Sequence, residues 1–315
     1  MEMTNLSAEI WSMSDEMTVT ALAFSVVICV LSVVVVIANA VILLVLFKSK
    51  KLRTKHFLTL GLLSINDVLL GVTSLCYESW QLSSLSSNSV KTVSSCCYHT
   101  LPLQFFLSND LFFIAILALE RTVAAFQPLF YENISSLLLP FPLIAIALCS
   151  SISITTITAI YNEGRSEKTL YCSNDDCWQE SQKDVVMHLC YISVAIVVLV
   201  LNATVLFRVI QKAHSYKSRH LKNIFALKFS EQIRLLRMVS YITITLLLSQ
   251  IVARSLRIMS SQSVDEQEKF FFYGLYRLLC LFCSTCNFFI YFFNSDEFRS
   301  TLKGVFCAES VVTPF

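Results

Sequence analysis

The stretch LALERTVAAFQPLFYEN, residues 117–133, closes an apolar run that starts at Leu103 and stops at the pair Glu120-Arg121. Pro128 follows seven residues after Arg121, and the cluster Tyr131-Glu132-Asn133 comes just beyond. Counting back from Arg121, Cys96 lies 25 residues away, which is about 37 Å of helix at 1.5 Å per residue. That length matches a hydrocarbon core of about 30 Å together with its interfaces. The segment therefore reads as a helix that crosses a membrane, with Arg121 at one face and Cys96 at the other.

The rest of the chain supports this reading. Of its 315 residues, 55% are hydrophobic and 15% are charged, with a mean hydropathy of +0.65, too apolar for an ordinary soluble domain. Seven runs are long enough to span, at 20–47, 57–80, 98–121, 136–161, 185–210, 236–259 and 270–293. The expected fold is an all-α seven-helix membrane bundle over 20–293. A short N-terminus, 1–19, precedes it and a tail, 294–315, follows. The N-terminus has no Lys or Arg before Lys48 and so lacks the basic start of a cleaved signal peptide.

Lys and Arg sort strongly between the two sides. If the N-terminus is outside, the inner connections hold 16 and the outer ones 5, which sets the orientation by the positive-inside rule. Asn5-Leu6-Ser7 is then a glycosylation sequon on the outer side, whereas the sequons at Asn133 and Asn202 fall in an inner loop and a membrane helix. No internal repeat is evident, and only five Gly and five Pro are present. This tells against a transporter built from repeated, broken helices. An enzyme is not expected either, since neither a His-Glu-x-x-His nor a Gly-x-Ser-x-Gly motif occurs. Net charge, at +2, gives no reason to expect a nucleic-acid partner.

Ionisable residues inside the spans are functional candidates because burying them in hydrocarbon is costly. Asp67 and Asp110 lie mid-membrane on the second and third helices, within reach of a polar pocket with Asn39, Ser284 and Asn287. Two close carboxylates seldom both ionise, so a shared proton or cation is one expectation and a hydrogen-bonded structural pair is the other. Arg254, Arg257 and Arg277 fall toward the outer ends of the sixth and seventh helices. Arg suits a carboxylate or phosphate by its forked geometry. The readings for Arg277 are an anionic ligand or a salt bridge to Glu78; for Arg257 the expectation is snorkelling to the interface. His99, Leu103, Gln104 and Ser108 can line the same cavity from the third helix. Cys280, Cys283 and Cys286 share one stripe with no His or carboxylate beside them, and read as inert thiols rather than a metal site. No metal or other cofactor is expected.

Cysteines at the outer face suggest an oxidised bridge from the top of the third helix to the second outer loop. Cys96 with Cys172 or Cys177 is favoured, and Cys97 is the competitor. Beyond the seventh helix, Asn294 and Glu297 are spaced as a capping box. Phe298, Leu302, Val305 and Phe306 then recur at helical spacing, as in a short amphipathic helix on the inner membrane surface, with Cys307 a palmitoylation candidate.

Seven spans, a Cys at the outer end of the third and Glu120-Arg121 at its inner end together resemble a rhodopsin-like G-protein-coupled receptor. Asn39, Asp67, Pro128, Asn287 and Tyr291 each match a motif position of that class in order along the chain. The resemblance implies that Glu120, Arg121 and Pro128 serve coupling to a heterotrimeric G protein. It implies that Asn39, Asp67, Asp110, Asn287 and Tyr291 form an ion and activation pocket, and that Leu103 stands where amine receptors carry an Asp. The chain departs from the class in lacking the tryptophan of the fourth helix, the aromatic switch of the sixth and every proline in helices five to seven. Two segments, ERTVAAFQPLFYEN and NIFALKFSEQIRLLRMV at 223–239, resemble nematode serpentine chemoreceptors of the Sra superfamily, nearest the Srab-like branch. The implied function is a plasma-membrane chemosensory receptor for an extracellular small molecule, possible as a dimer and in contact with membrane lipid. A neuropeptide receptor is the rival reading, and an ion channel or transporter a more distant one.

Overall fold

A computed structural model describes residues 15–49, 57–86, 91–127, 140–163, 166–169, 181–218, 244, 247–263 and 266–306. They form α1 (Asp15–Lys48), α2 (Phe57–Ser86), β1 (Lys91–Thr92), α3 (Val93–Phe126), α4 (Pro140–Tyr161), β2 (Lys168–Thr169), α5 (Ser181–Ser218), α6 (247–262), α7 (Glu266–Asn294) and α8 (Asp296–Phe306). Six helices among the described residues are long and apolar enough to cross a membrane: α1 to α5 and α7. The start of the sixth expected span lies outside the described residues, and its described part is α6. Most helices run several residues past their apolar runs, because their polar ends project into the interface, where backbone groups find water.

Local sequence explains the ends. Lys48 lies in the last turn of α1, where a cation complements the helix dipole. Thr92 caps α3, its hydroxyl accepting from the Ser95 amide at 3.3 Å. Pro140 opens α4 and Pro142 follows in the same turn, where the missing donors would have had no intrahelical partner. The capping box expected at Asn294 and Glu297 shifts by one residue. Asn294 still belongs to α7, and the Ser295 hydroxyl instead accepts from the Phe298 amide at 3.1 Å.

Helix α3 is the central post, packed against α2, α4 and α5, while α1 packs against α2 and α7. Gly71 lets α2 approach α1 closely: a Cβ there would come within 2.7 Å of a Val36 methyl and 3.0 Å of the Ser32 carbonyl. Small residues permit such contacts in bundles that lack a hydrophobic driving force between helices. Apolar side chains left outward on α1, α4 and α5, such as Val30, Ile157 and Val197, form the lipid-facing surface. At the Cys96 end of α3, β1 pairs antiparallel with β2, Lys91 opposite Thr169, and so joins the α2–α3 connection to the α4–α5 connection.

Helix α8 lies across the other end. Phe298 is buried against Ile42, Val45 and Leu46 of α1, and Glu297 accepts from the Ser49 hydroxyl at 3.3 Å. Arg299 pairs with Asp296 and donates to the Phe292 and Phe293 carbonyls at 3.1 and 2.8 Å, closing the end of α7. The amphipathic spacing read from the sequence thus docks α8 on the bundle through Phe298. Cys307 lies outside the described residues.

Candidate functional site

A cavity opens between α3, α5, α6 and α7 toward the Cys96 end. It is lined by Leu103, Gln104 and Ser108 of α3, His188 and Tyr191 of α5, Arg254 of α6 and Tyr273 and Tyr276 of α7, with Thr100, Leu107 and Met187 completing the wall. It encloses about 390 Å³ of empty space, mouth included, and is narrow enough inside to hold only one or two waters. Among the described residues, no acidic side chain is in the lining.

Arg254 dominates its electrostatics. Its guanidinium donates to the Leu107 carbonyl and the Tyr276 hydroxyl, each at 3.1 Å, and approaches His188 Nδ1 at 3.5 Å. It also lies over the Tyr191 ring, 4.6 Å from the centroid. The side chain is 4% exposed, its Nε has no hydrogen-bond partner, and among the described residues no carboxylate lies in ion-pair range. Asp110 acts on it electrostatically from beyond ion-pair range, so a buried cation held directly by neutral acceptors and rings is only partly compensated. Beside it, Gln104 is 7% exposed, and neither atom of its amide has a partner. Ser108 accepts from the Tyr191 hydroxyl at 3.2 Å.

Two residues expected in the cavity are elsewhere. Arg277 forms a buried ion pair with Glu78 of α2, donates to Ser74 at 3.2 Å and lies over Tyr77. The salt-bridge alternative therefore describes its geometry, because Glu78 faces it at the same depth. His99 points away from the cavity and stacks on Trp80 with centroids 4.0 Å apart, while the Lys91 ammonium lies 3.1 Å from the Trp80 centroid. Lys91 is outside the spans, and burial lowers its pKa to about 8. Arg257, expected to snorkel, is fully buried, 5.0 Å from the Tyr273 ring centroid. At that depth the Tyr273 ring face, and not interface water, lies against the guanidinium.

Below the cavity, the polar pocket assembles. Asn39 donates to the Val35 and Ser284 carbonyls at 3.1 and 3.2 Å, bridging α1 to α7. Asn287 donates to Asp67 at 3.0 Å. Asp110 accepts instead from Gln250 of α6 at 2.7 Å, so each carboxylate has its own amide partner on a different helix. Tyr291 packs against Phe298, 5.9 Å between centroids, and so belongs to the α8 junction. At the far end of α3, Glu120 is buried and accepts from Thr59 of α2 at 3.0 Å. The side chain of Arg121 and the whole of Pro128 lie outside the described residues.

Cys96 and Cys97 are both disulfide-bonded. The choice between them posed by the sequence therefore does not arise. Cys172, Cys177 and the sequon at Asn5 fall outside the described residues. Cys280, Cys283 and Cys286 are free thiols, and no group of metal-ligating side chains occurs among the described residues.

Sequence reasoning missed the walls from α5 and α7. The signal was present as polar-aromatic pairs three residues apart in apolar helices, His188 with Tyr191 and Tyr273 with Tyr276, which place both members on one face. Nothing in the sequence marked Gln250 as the partner of Asp110.

A membrane-spanning helical bundle with an inward-facing polar cavity near one end, and a short helix docked across the other, is the architecture of a multi-pass receptor. The chain belongs to the family of serpentine type seven-transmembrane G-protein-coupled chemoreceptors named Srsx, whose pattern matches residues 32–306. The serpentine chemoreceptor resemblance seen in the sequence stands at this level, with Srsx the family shown in place of the Srab-like branch. Comparison with curated proteins gives no match.

Proposed function

We propose that this receptor binds an extracellular, anionic small molecule in the Arg254 cavity and signals through a heterotrimeric G protein in the plasma membrane. The observation that carries the ligand class is Arg254 itself: a buried guanidinium, with no carboxylate in ion-pair range among the described residues, in the wall of a cavity whose described lining contains no acid. An anion entering that space supplies the charge the fold omits.

The charge count supports an orientation with the N-terminus and the cavity mouth outside and the Glu120 end inside. On this reading Cys96 and Cys97 tie the cavity end of α3 to Cys172 and Cys177 of the second outer loop, and Asn5 is available for glycosylation. Glu120, Arg121, Pro128 and the basic third inner loop face the G protein. Asp67, Asp110, Asn39 and Asn287 form the pocket through which a proton or cation biases the resting state. If so, Asp67→Asn changes basal signalling or its ion sensitivity; no change in either would remove this role.

The decisive experiment expresses the receptor with a G-protein reporter and screens small acids, their neutral esters and peptides. The expected result is a response to one or more acids that disappears in Arg254→Gln. A response confined to peptides, or to neutral esters as strongly as to acids, would overturn the anionic-ligand reading.

A further inference from the structure

Arg254 defines one end of the cavity, but Gln104 adds a requirement of its own. Its amide is more than nine-tenths buried, lines the cavity and leaves both its donor and its acceptor without a partner. A buried amide in that state costs free energy until something enters to satisfy it.

The placement limits what that something can be. Gln104 and Ser108 are one turn apart on the same face of α3, and Arg254 donates to the carbonyl of Leu107, three residues after Gln104. Gln104 and the carbonyl that holds Arg254 are thus about one turn apart on α3. A compact ligand reaching in from the mouth can satisfy both groups when a second polar group lies close to its anionic group. Among the described residues the lining offers no carboxylate to a second group that is cationic, and Arg254 repels it. That disfavours amino acids and favours an uncharged oxygen. Three tyrosines, Tyr191, Tyr273 and Tyr276, supply an apolar wall for a short carbon chain.

We infer that the ligand is a short hydroxy or oxo carboxylic acid, its carboxylate on Arg254 and its second oxygen on the Gln104 amide. This rests on the anionic-ligand reading above and adds Gln104 as the residue that sets specificity within it. A site built to bond a hydroxyl rejects an analogue lacking it far more strongly than an apolar pocket distinguishes a methylene.

The test is calorimetric titration of the full-length receptor in lipid nanodiscs with lactate, pyruvate, propionate, methyl lactate and alanine. Lactate or pyruvate is expected to bind at least about tenfold tighter than propionate, the margin of one satisfied hydrogen bond, with methyl lactate and alanine weakest. In Gln104→Leu the preference over propionate is expected to fall to within about twofold while propionate affinity is kept; Gln104→Met gives the same comparison if the Leu variant does not fold. Equal affinities for lactate, pyruvate and propionate, with methyl lactate weaker, would overturn the hydroxy- or oxo-acid inference and leave the anionic reading standing. Methyl lactate binding as well as lactate, or lactate affinity unchanged in Arg254→Gln, would overturn the anionic reading. A preference that survives in both Gln104 variants would remove Gln104 as its cause, and no binding by any of the acids would overturn both proposals.

Discussion

Two arginines buried at the same end of the bundle have opposite surroundings. Arg277 meets Glu78, itself fully buried, with Ser74 and the Tyr77 ring completing its shell. Arg254 meets a backbone carbonyl, a phenol, a histidine and aromatic faces, but no carboxylate among the described residues. The first is an internal strut, because its charge is already neutralised. The second has Asp110 only beyond ion-pair range, and on the proposed function it offers its charge to a ligand. Burial and residue type are the same, so what separates structure from recognition is whether the fold supplies the counter-ion.

The sharpest way to break this contrast is to make Arg277 resemble Arg254. Glu78→Gln strands a buried guanidinium and should cost about 3–5 kcal/mol, read as a large fall in the thermal unfolding midpoint of the purified receptor. Adding Arg277→Met to that variant should recover most of the loss, since the charge that needed a partner is gone. Failure to recover would mean that packing, and not charge, holds this site.

A smaller effect is expected one turn below Arg254. Gln250→Leu leaves Asp110 without its amide donor and should cost about 1.5–3 kcal/mol, the range for a hydrogen bond to a charged group. The same measurement with Asp110→Asn should show a smaller loss, because a neutral acceptor remains. Smaller again is the stability change on Arg254→Leu. Removing a cation that has no ion-pair contact among the described residues should leave the unfolding midpoint unchanged or raised while acid binding disappears. A marked destabilisation would show that Arg254 is a strut after all.

Lys91, another cation on an aromatic face but outside the spans, gives a pH-dependent effect instead. Burial lowers its pKa from 10.5 to about 8. Between those values the unfolded chain keeps the proton and the folded chain has lost it, so stability should rise with pH across about 8 to 10.5. Unfolding midpoints measured from pH 8 to 10 should show this slope in the wild type and lose it in Lys91→Met.

Much of the frame was legible because membrane helices declare themselves through length and hydropathy. The amphipathic α8 and the set Asn39, Asp67 and Asn287 could be read from residue type and depth alone. The cavity was half legible: Leu103, Gln104, Ser108 and Arg254 line it as expected. The misses share a cause. His99, Arg257 and Arg277 were placed at the right height on their helices, but height does not give azimuth. Small rotations decide whether a side chain meets Trp80, Tyr273, Glu78 or the cavity.

By itself, then, the sequence determined that the chain crosses a membrane in a bundle of helices and which of its buried residues carry charge. Hydrophobic length and the cost of burying an ion are properties of a segment and need no knowledge of its neighbours. Only the tertiary structure decided which buried charges are neutralised and which polar groups are left facing a cavity. Those outcomes depend on pairs of helices meeting, Glu78 with Arg277 and Gln250 with Asp110, and on Arg254 meeting no such partner among the described residues.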